Sequence, residues 1–233
     1  MLLFSDRQPD LIQSFRSCLS HFSGMAEKNG IKIMPFSPQG PLHFERLSPE
    51  LQYRLYLHFS SYVSICAEIV EEGRSLRDDS YLLWRYFKRQ GILPNSELLA
   101  SVDSRDVIEI YSPEFTQLFR NLKFFSICSY TLDQLLCLPF WELFTREQKV
   151  TASLMEIGHG LFTGKVSGIH QWNSGIHTVE EISSPALYTA KIENKIASAL
   201  HAQKGGVVAV IHTFRVLSCE SRAAHQIEGK DNQ

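Results

Sequence analysis

A chain of 233 residues is long enough for one large domain or two small ones, each with its own core. Its 44% apolar and 21% charged residues match a folded protein and exclude a disordered one. A formal charge of −2 argues against a broad nucleic-acid footprint, and no window nears the roughly 18 uninterrupted apolar residues of a membrane span.

The opening "MLLFSDRQPD" has too few apolar residues for a signal-peptide core. Five cysteines, an odd count without a C-x-x-C pair, suit a reducing compartment, so a cytoplasmic protein is expected. From Pro9 to Asn29, Leu11, Ile12, Phe15, Cys18, Leu19, Phe22 and Met25 fall on one helical face, with Gly30 placed to end it. Ser48 and Pro49 then predict the start of a long helix ending near Gly73, apolar at Leu51, Leu55, Phe59, Tyr62, Cys66, Ile69 and Val70. A third helix begins at Asp79, carries Leu82, Leu83, Tyr86 and Phe87 on one side, and stops at Gly91. Arg85, Lys88 and Arg89 on it read as a solvated face. These helices predict a helical region over residues 1–94.

Past "GILPNS" the pattern changes. "ELLASV" and "VIEIYS" read as short strands around a polar turn, and "SPEFTQLF" as a short helix capped by Ser112 with Pro113 at its first position. A helix from Thr131 is ended by Pro139, and "VTASLMEIGHGLFTGK" predicts another, closing near Gly164. "IHTVEEI" is a candidate strand. "GGVVAVIHTFRVLS" is the clearest one, with Val208, Val210, His212, Phe214 and Val216 on one face. Residues 185–203 give two answers. Tyr188, Ile192, Ile196 and Leu200 recur every four residues, which favours a helix, whereas a hairpin through "QKGG" requires a strand. Residues 219–233 read as a flexible tail.

No phosphate loop, H-E-x-x-H helix or G-x-S-x-G elbow is present. "SGIHQWNSGIH" repeats four residues at a shift of seven and offers His170 and His177, but that spacing puts them on opposite faces of a strand, and a loop or hairpin rim is the simpler reading. His212 reads as a hydrogen-bonded core histidine.

The order over residues 95–218, with "SPEF" (Ser112, Pro113, Glu114, Phe115) and "YTLDQLLCLPFW" (Tyr130, Thr131, Leu132, Asp133, Leu135, Leu136, Pro139, Phe140, Trp141), resembles a PAS domain. The chain departs from that pattern in Ser129 and Cys137, where glycines are frequent, in the extra "RNLKFFSIC", and in the helical look of 185–203. The resemblance implies an α+β fold: an N-terminal helical region followed by a PAS-like antiparallel sheet with short flanking helices. It implies a non-enzymatic sensory or protein-interaction role, with Pro139 turning Phe140 and Trp141 against the sheet. A cavity is then expected among Phe115, Leu118, Leu136, Phe140, Trp141, Ile157, Leu161, Val210 and Phe214, taking a small-molecule ligand or serving as core. Homodimerisation or a protein partner through the N-terminal helices is expected, with no nucleic acid and no membrane; the cofactor is unknown, none being the first expectation. His159 sits where haem-binding members of the family carry their iron ligand, in a chain that otherwise gives haem little support. The alternatives are a small metal- or acid/base-dependent enzyme using His159, His170 and His177 with Glu180 or Glu181, and a transcription regulator.

Overall fold

Residues 8–93, 95–172, 175–184 and 186–221 are described by the computed structural model. The first residues of the opening stretch, Pro94 of the expected boundary, Asn173 and Ser174 of the repeat, Pro185 and the tail beyond Ser221 lie outside them.

Helices α1 (Gln8–Lys28), α3 (Pro49–Glu71) and α4 (Asp79–Gln90) form where apolar periodicity and caps predict them. The Ser48 hydroxyl accepts from the Leu51 N–H, and the Asp78 carboxylate from the Tyr81 N–H, each satisfying a free donor at a helix start. Gly91 ends α4 at φ 63°, a left-handed conformation that costs glycine nothing. Arg85 pairs with Glu68 and Glu72, and Arg89 with Glu68, so the basic stretch clamps α4 to α3. The core between the helices is aromatic, with Phe15 stacked on Phe44 at 3.8 Å and set edge-on to Phe59 at 6.0 Å. Leu51 and Val70, expected on the buried face of α3, are exposed. The one-turn α2 (Leu42–Glu45) has Pro41 at its N-cap, which makes no side-chain cap bond.

"ELLASV" departs from expectation. It forms helix α5 (Ser96–Ser101), because the Asn95 side chain accepts from the N–H groups of Glu97 and Leu98 and good helix formers follow. "SPEFTQLF" departs the other way. Ser112 Oγ accepts from the N–H groups of Glu114 and Thr116, closing a tight turn rather than starting a helix. Phe115 in that turn has φ 58°. The chain then returns as β2 (Gln117–Arg120) beside β1 (Asp106–Tyr111). The extra sequence "RNLKFFSIC" supplies a 3₁₀ turn, Leu122–Ser126, whose Phe125 meets Phe22 edge-on at 5.6 Å. A capping box at Thr131 and Gln134 opens α6 (Leu132–Cys137), and Pro139 precedes the single turn α7 (Phe140–Leu143). After β3 (Phe144–Thr145) come α8 (Gln148–Phe162), β4 (Ile169–Gln171) and β5 (Ile176–Glu181).

Residues 188–201 are strand β6 (Tyr188–His201), paired antiparallel along its length with β7 (Val207–Ser221) through a turn with Gly205 and Gly206 at φ 88° and 85°. Pairing overrides helical propensity because β6 gains partners on both edges: β7 on one, and β5 and β4 end to end on the other. β7 runs on to Ser221, so the expected tail from Cys219 begins inside the sheet. The strand order is β2-β1-β7-β6-β5-β3, with β4 on β6. The fold is α+β: N-terminal helices followed by a PAS-like antiparallel sheet with short flanking helices.

The register assigns the two faces of the sheet. Ile110 lies opposite both Phe119 and Ile211, and Phe119 packs on Tyr62 of α3 and Tyr86 of α4. On the other face Glu109 lies opposite His212, Tyr111 opposite Val210, and Val107 opposite Phe214. One apolar core runs from α1 into the sheet. Among the described residues no helix is long and apolar enough to cross a membrane.

Candidate functional site

The second face and helices α7 and α8 line a cavity of about 130 Å³ that opens to solvent beside Trp141 and Met155. Of the residues singled out in the sequence, Phe115, Phe140, Trp141, Ile157, Val210 and Phe214 line it. Leu118 and Leu136 do not. They border a second cavity of about 190 Å³ on the far side of Phe115, Phe140 and Trp141. Leu161 is fully buried under α8 against Ala197 and Val210, as core. The second cavity, although larger, includes the Arg54–Glu114 pair, whose side chains are 48% and 60% exposed, so it is a hydrated groove beside α3. Trp141 is 54% exposed and forms a rim rather than being set against the sheet. Phe140 is half-buried and stacks on Phe144 at 5.4 Å.

Gly158 gives α8 its close approach. A Cβ there would meet Phe115 Cε1 at 3.2 Å, so glycine lets the Phe115 ring lie against the helix. Gly175 does the same before β5, where a Cβ would fall 2.7 Å from the Asn194 carbonyl oxygen. The tandem-histidine segment is therefore docked on β6 instead of forming a free rim: its Gly175 carbonyl accepts from the Asn194 N–H.

The apolar wall carries a polar patch of which sequence reading singled out only His212, as a hydrogen-bonded core histidine. Glu109, in the middle of β1, accepts from Gln117 Nε2 at 2.8 Å, and its Oε2 is 3.4 Å from His212 Nδ1. Burial alone would raise the Glu109 carboxyl, but His212, Arg120 and Arg146 outweigh it and hold its pKa below the ordinary value. Arg120 donates to the Leu135 carbonyl at 3.0 Å and lies 4.5 Å over the Phe124 ring. Arg146, between β3 and α8, lies 4.2 Å over the Phe140 ring. Burial lowers the pKa of both arginines. Arg146 Nε, His212 Nε2 and His177 Nε2 are buried without a hydrogen-bond partner among the described residues. A sequence signal for Glu109 did exist: a single carboxylate inside the apolar strand "VIEIY". Arg146 had none, because its position depends on where α7 turns the chain.

Glu181 closes the far end. It accepts from Ser129 N–H at 2.6 Å, Ser129 Oγ at 2.8 Å, Tyr188 N–H at 2.8 Å and the Ser184 hydroxyl, and so organises the loop before β6. α6 is tied outward. The Asp133 carboxylate accepts from the N–H groups of His43 and Phe44, both at 3.0 Å, supplying from across the molecule the cap that Pro41 cannot give α2.

The histidines of the enzyme alternative are not brought together. His159 is exposed on α8 and lies outside the cavity lining, so it does not fit an iron ligand there. His170 is set edge-on to Trp172 at 4.8 Å, while His177 is buried with Nδ1 at 3.0 Å from the Gly175 carbonyl. Among the described residues, no three His, Cys, Asp or Glu side chains are grouped to hold a metal ion. Cys66, the most enclosed thiol, has its pKa pushed up to about 12 by burial, as suits a packing residue.

No family model matches the sequence, and no curated protein matches it. Among solved structures, the chain is similar to a sensory box sensor histidine kinase from Vibrio cholerae, at 13% identity and a TM-score of 0.33, over 53% of this chain and 89% of that one. It is also similar to an RNA-binding light-oxygen-voltage receptor, at 11% identity and a TM-score of 0.31, over 82% of this chain and 61% of that one. The fold assignment rests on the strand order and helix placement described above.

Proposed function

We propose that this is a non-enzymatic sensory protein: its PAS-like half takes a small molecule between α8 and the sheet, and the N-terminal helices carry the response to a second copy or a partner. The observation that carries the reading is the cavity itself, an apolar chamber whose wall holds buried nitrogen atoms without partners. A polar group left unpaired in a core costs about 1–3 kcal/mol, and a bound molecule that pairs it recovers that cost. The route out is short. Phe140 lines the cavity, Pro139 joins it to α6, and Asp133 of α6 holds the start of α2. A ligand that favours one position of Phe140 thereby biases α6 and the helices tied to it.

Native mass spectrometry of the intact chain against a panel of small aromatic and aliphatic compounds tests the first half, and amide exchange in α2 and α6 tests the second. Uptake of one compound with slower exchange at His43 and Phe44 is the expected result. A chain that takes up none of the panel, or that takes one up with no change in α2, is not this kind of sensor.

A further inference from the structure

We infer that the cavity selects a small monocarboxylate with an apolar, ring-sized body, its carboxylate held by Arg146. This rests on reading the cavity as a ligand site and adds the chemical class of the ligand. Arg146 lines the cavity and is stacked on Phe140, which occupies one face of the guanidinium and leaves its N–H edge for another group. It forms no hydrogen bond or ion pair with any described residue, and its Nε is buried. Both carboxylates of the wall are already engaged: Glu109 by Gln117 and His212, and Glu181 by four neutral donors. Arg146 acts on Glu109 through space, helping to hold its carboxyl down, but makes no direct hydrogen bond or ion pair with it, so its N–H groups stay open to a carboxylate. A planar guanidinium fork matches a carboxylate better than any neutral acceptor.

The rest of the wall sets the body of the ligand. Phe115, Leu154, Ile157, Val179, Ile192 and Val210 offer nothing polar. A volume of about 130 Å³ is close to that of the roughly 150 Å³ engineered cavity that holds benzene, so one six-membered ring with one small substituent fills it. A dicarboxylate would strand its second charge against the apolar wall.

Calorimetric titration of the intact chain with sodium benzoate and with benzyl alcohol, its neutral near-isostere, tests the inference. Benzoate is expected to bind at least about tenfold more tightly than benzyl alcohol, the ratio given by one charge-assisted pair. Arg146→Gln is expected to remove that preference, bringing the ratio of the two affinities to about one, and Arg146→Lys to keep part of it. Thermal melting of each variant reports folding. If Arg146→Gln does not fold, the two probes on the parent chain and on Arg146→Lys decide. Equal or tighter binding of benzyl alcohol, or undiminished benzoate affinity in Arg146→Gln, overturns the carboxylate assignment and leaves the cavity as a ligand site. Binding of neither probe overturns both.

Discussion

On the face of the sheet that carries Ile108, Ile110, Phe119 and Ile211, each of these side chains is at most 2% exposed, and the aromatics of α3 and α4 close over them. One residue along the same strands, Glu109, Tyr111 and His212 face a chamber with charged groups in its wall. Strand alternation makes both surfaces from one set of strands, so the contrast lies in what covers each. The first is covered by long, capped helices with a continuous apolar stripe. The second is covered by α7, a single turn, and by α8, whose buried residues are Gly158, Gly160 and Leu161. A face packed to density can only stabilise, whereas a face left incomplete can respond to what enters it.

The sharpest way to break this contrast is Phe119→Ala. Phe119 is buried between Tyr62 at 5.4 Å and Tyr86 at 5.0 Å, so truncation leaves a hole that the helices cannot collapse into. A loss of about 3–5 kcal/mol in urea unfolding is expected. A loss under about 1 kcal/mol would mean that the helix-covered face is no better packed than the chamber.

Next in size is Asp133→Ala, which removes two charge-assisted bonds to the start of α2 and leaves those N–H groups to water or to nothing. About 2–3 kcal/mol is expected, with faster amide exchange at His43 and Phe44. If α2 holds its protection, the link from the chamber to the N-terminal helices runs elsewhere.

The helical half was legible because its signals are local. Ser48 with Pro49, Asp78, and Gly91 mark boundaries through bonds within a few residues. The sheet half was less so, and β6 shows why. Its four-residue apolar period imitates a helix, yet the extra residue Lys195, a bulge between Asn194 and Ile196, divides it. Tyr188 and Ile192 line the chamber, while Ile196 and Leu200 lie opposite Thr213 and Ala209 on the other face. The partners across the bulge, Phe214 and Thr213, lie on the next strand, outside any window as short as a helical turn. The candidate site divides in the same way. Apolar members could be listed from the face of β7 and from α8, but Glu109, Gln117 and Arg146 meet only after β1, β2 and the turn at Arg146 converge.

Acid sensitivity should come from the chamber face as well. Burial lowers the His177 pKa, with Arg146 and His212 adding to it and the Gly175 carbonyl opposing. Folding therefore favours neutral His177. Its contribution is complete above the unfolded value of about 6.5 and is lost as pH falls through the lower folded value. Glu109, also lowered, keeps its contribution above the unfolded carboxylate value of about 4.3 and loses it as pH falls through the lower folded value, so the two windows are separate. Urea unfolding from pH 8 to pH 5 is expected to show a decline below about pH 6.5 that His177→Asn reduces. An unchanged slope in the variant would place the acid response on other histidines.

The smallest expected effect on stability is the most informative about the chamber. Gly158 lies inside α8, where alanine is favoured over glycine by about 1 kcal/mol. Against that gain, the new methyl group would stand 3.2 Å from Phe115 Cε1 and 3.6 Å from Cζ, and Phe115 is already held at φ 58° by its turn. Its ring also meets Phe162 edge-on at 6.0 Å, so the free direction for it is into the chamber. The two effects are of similar size and opposite sign, and Gly158→Ala should change unfolding free energy by less than about 1 kcal/mol. Chamber volume falls regardless, and with it the uptake of both benzoate and benzyl alcohol. A variant as stable as the parent that binds neither probe separates packing from binding on this face, which no truncation on the helix-covered face can do. If probe uptake is unaffected, the Phe115 ring moves outward toward α3, and the wall between the two cavities is softer than its contacts indicate.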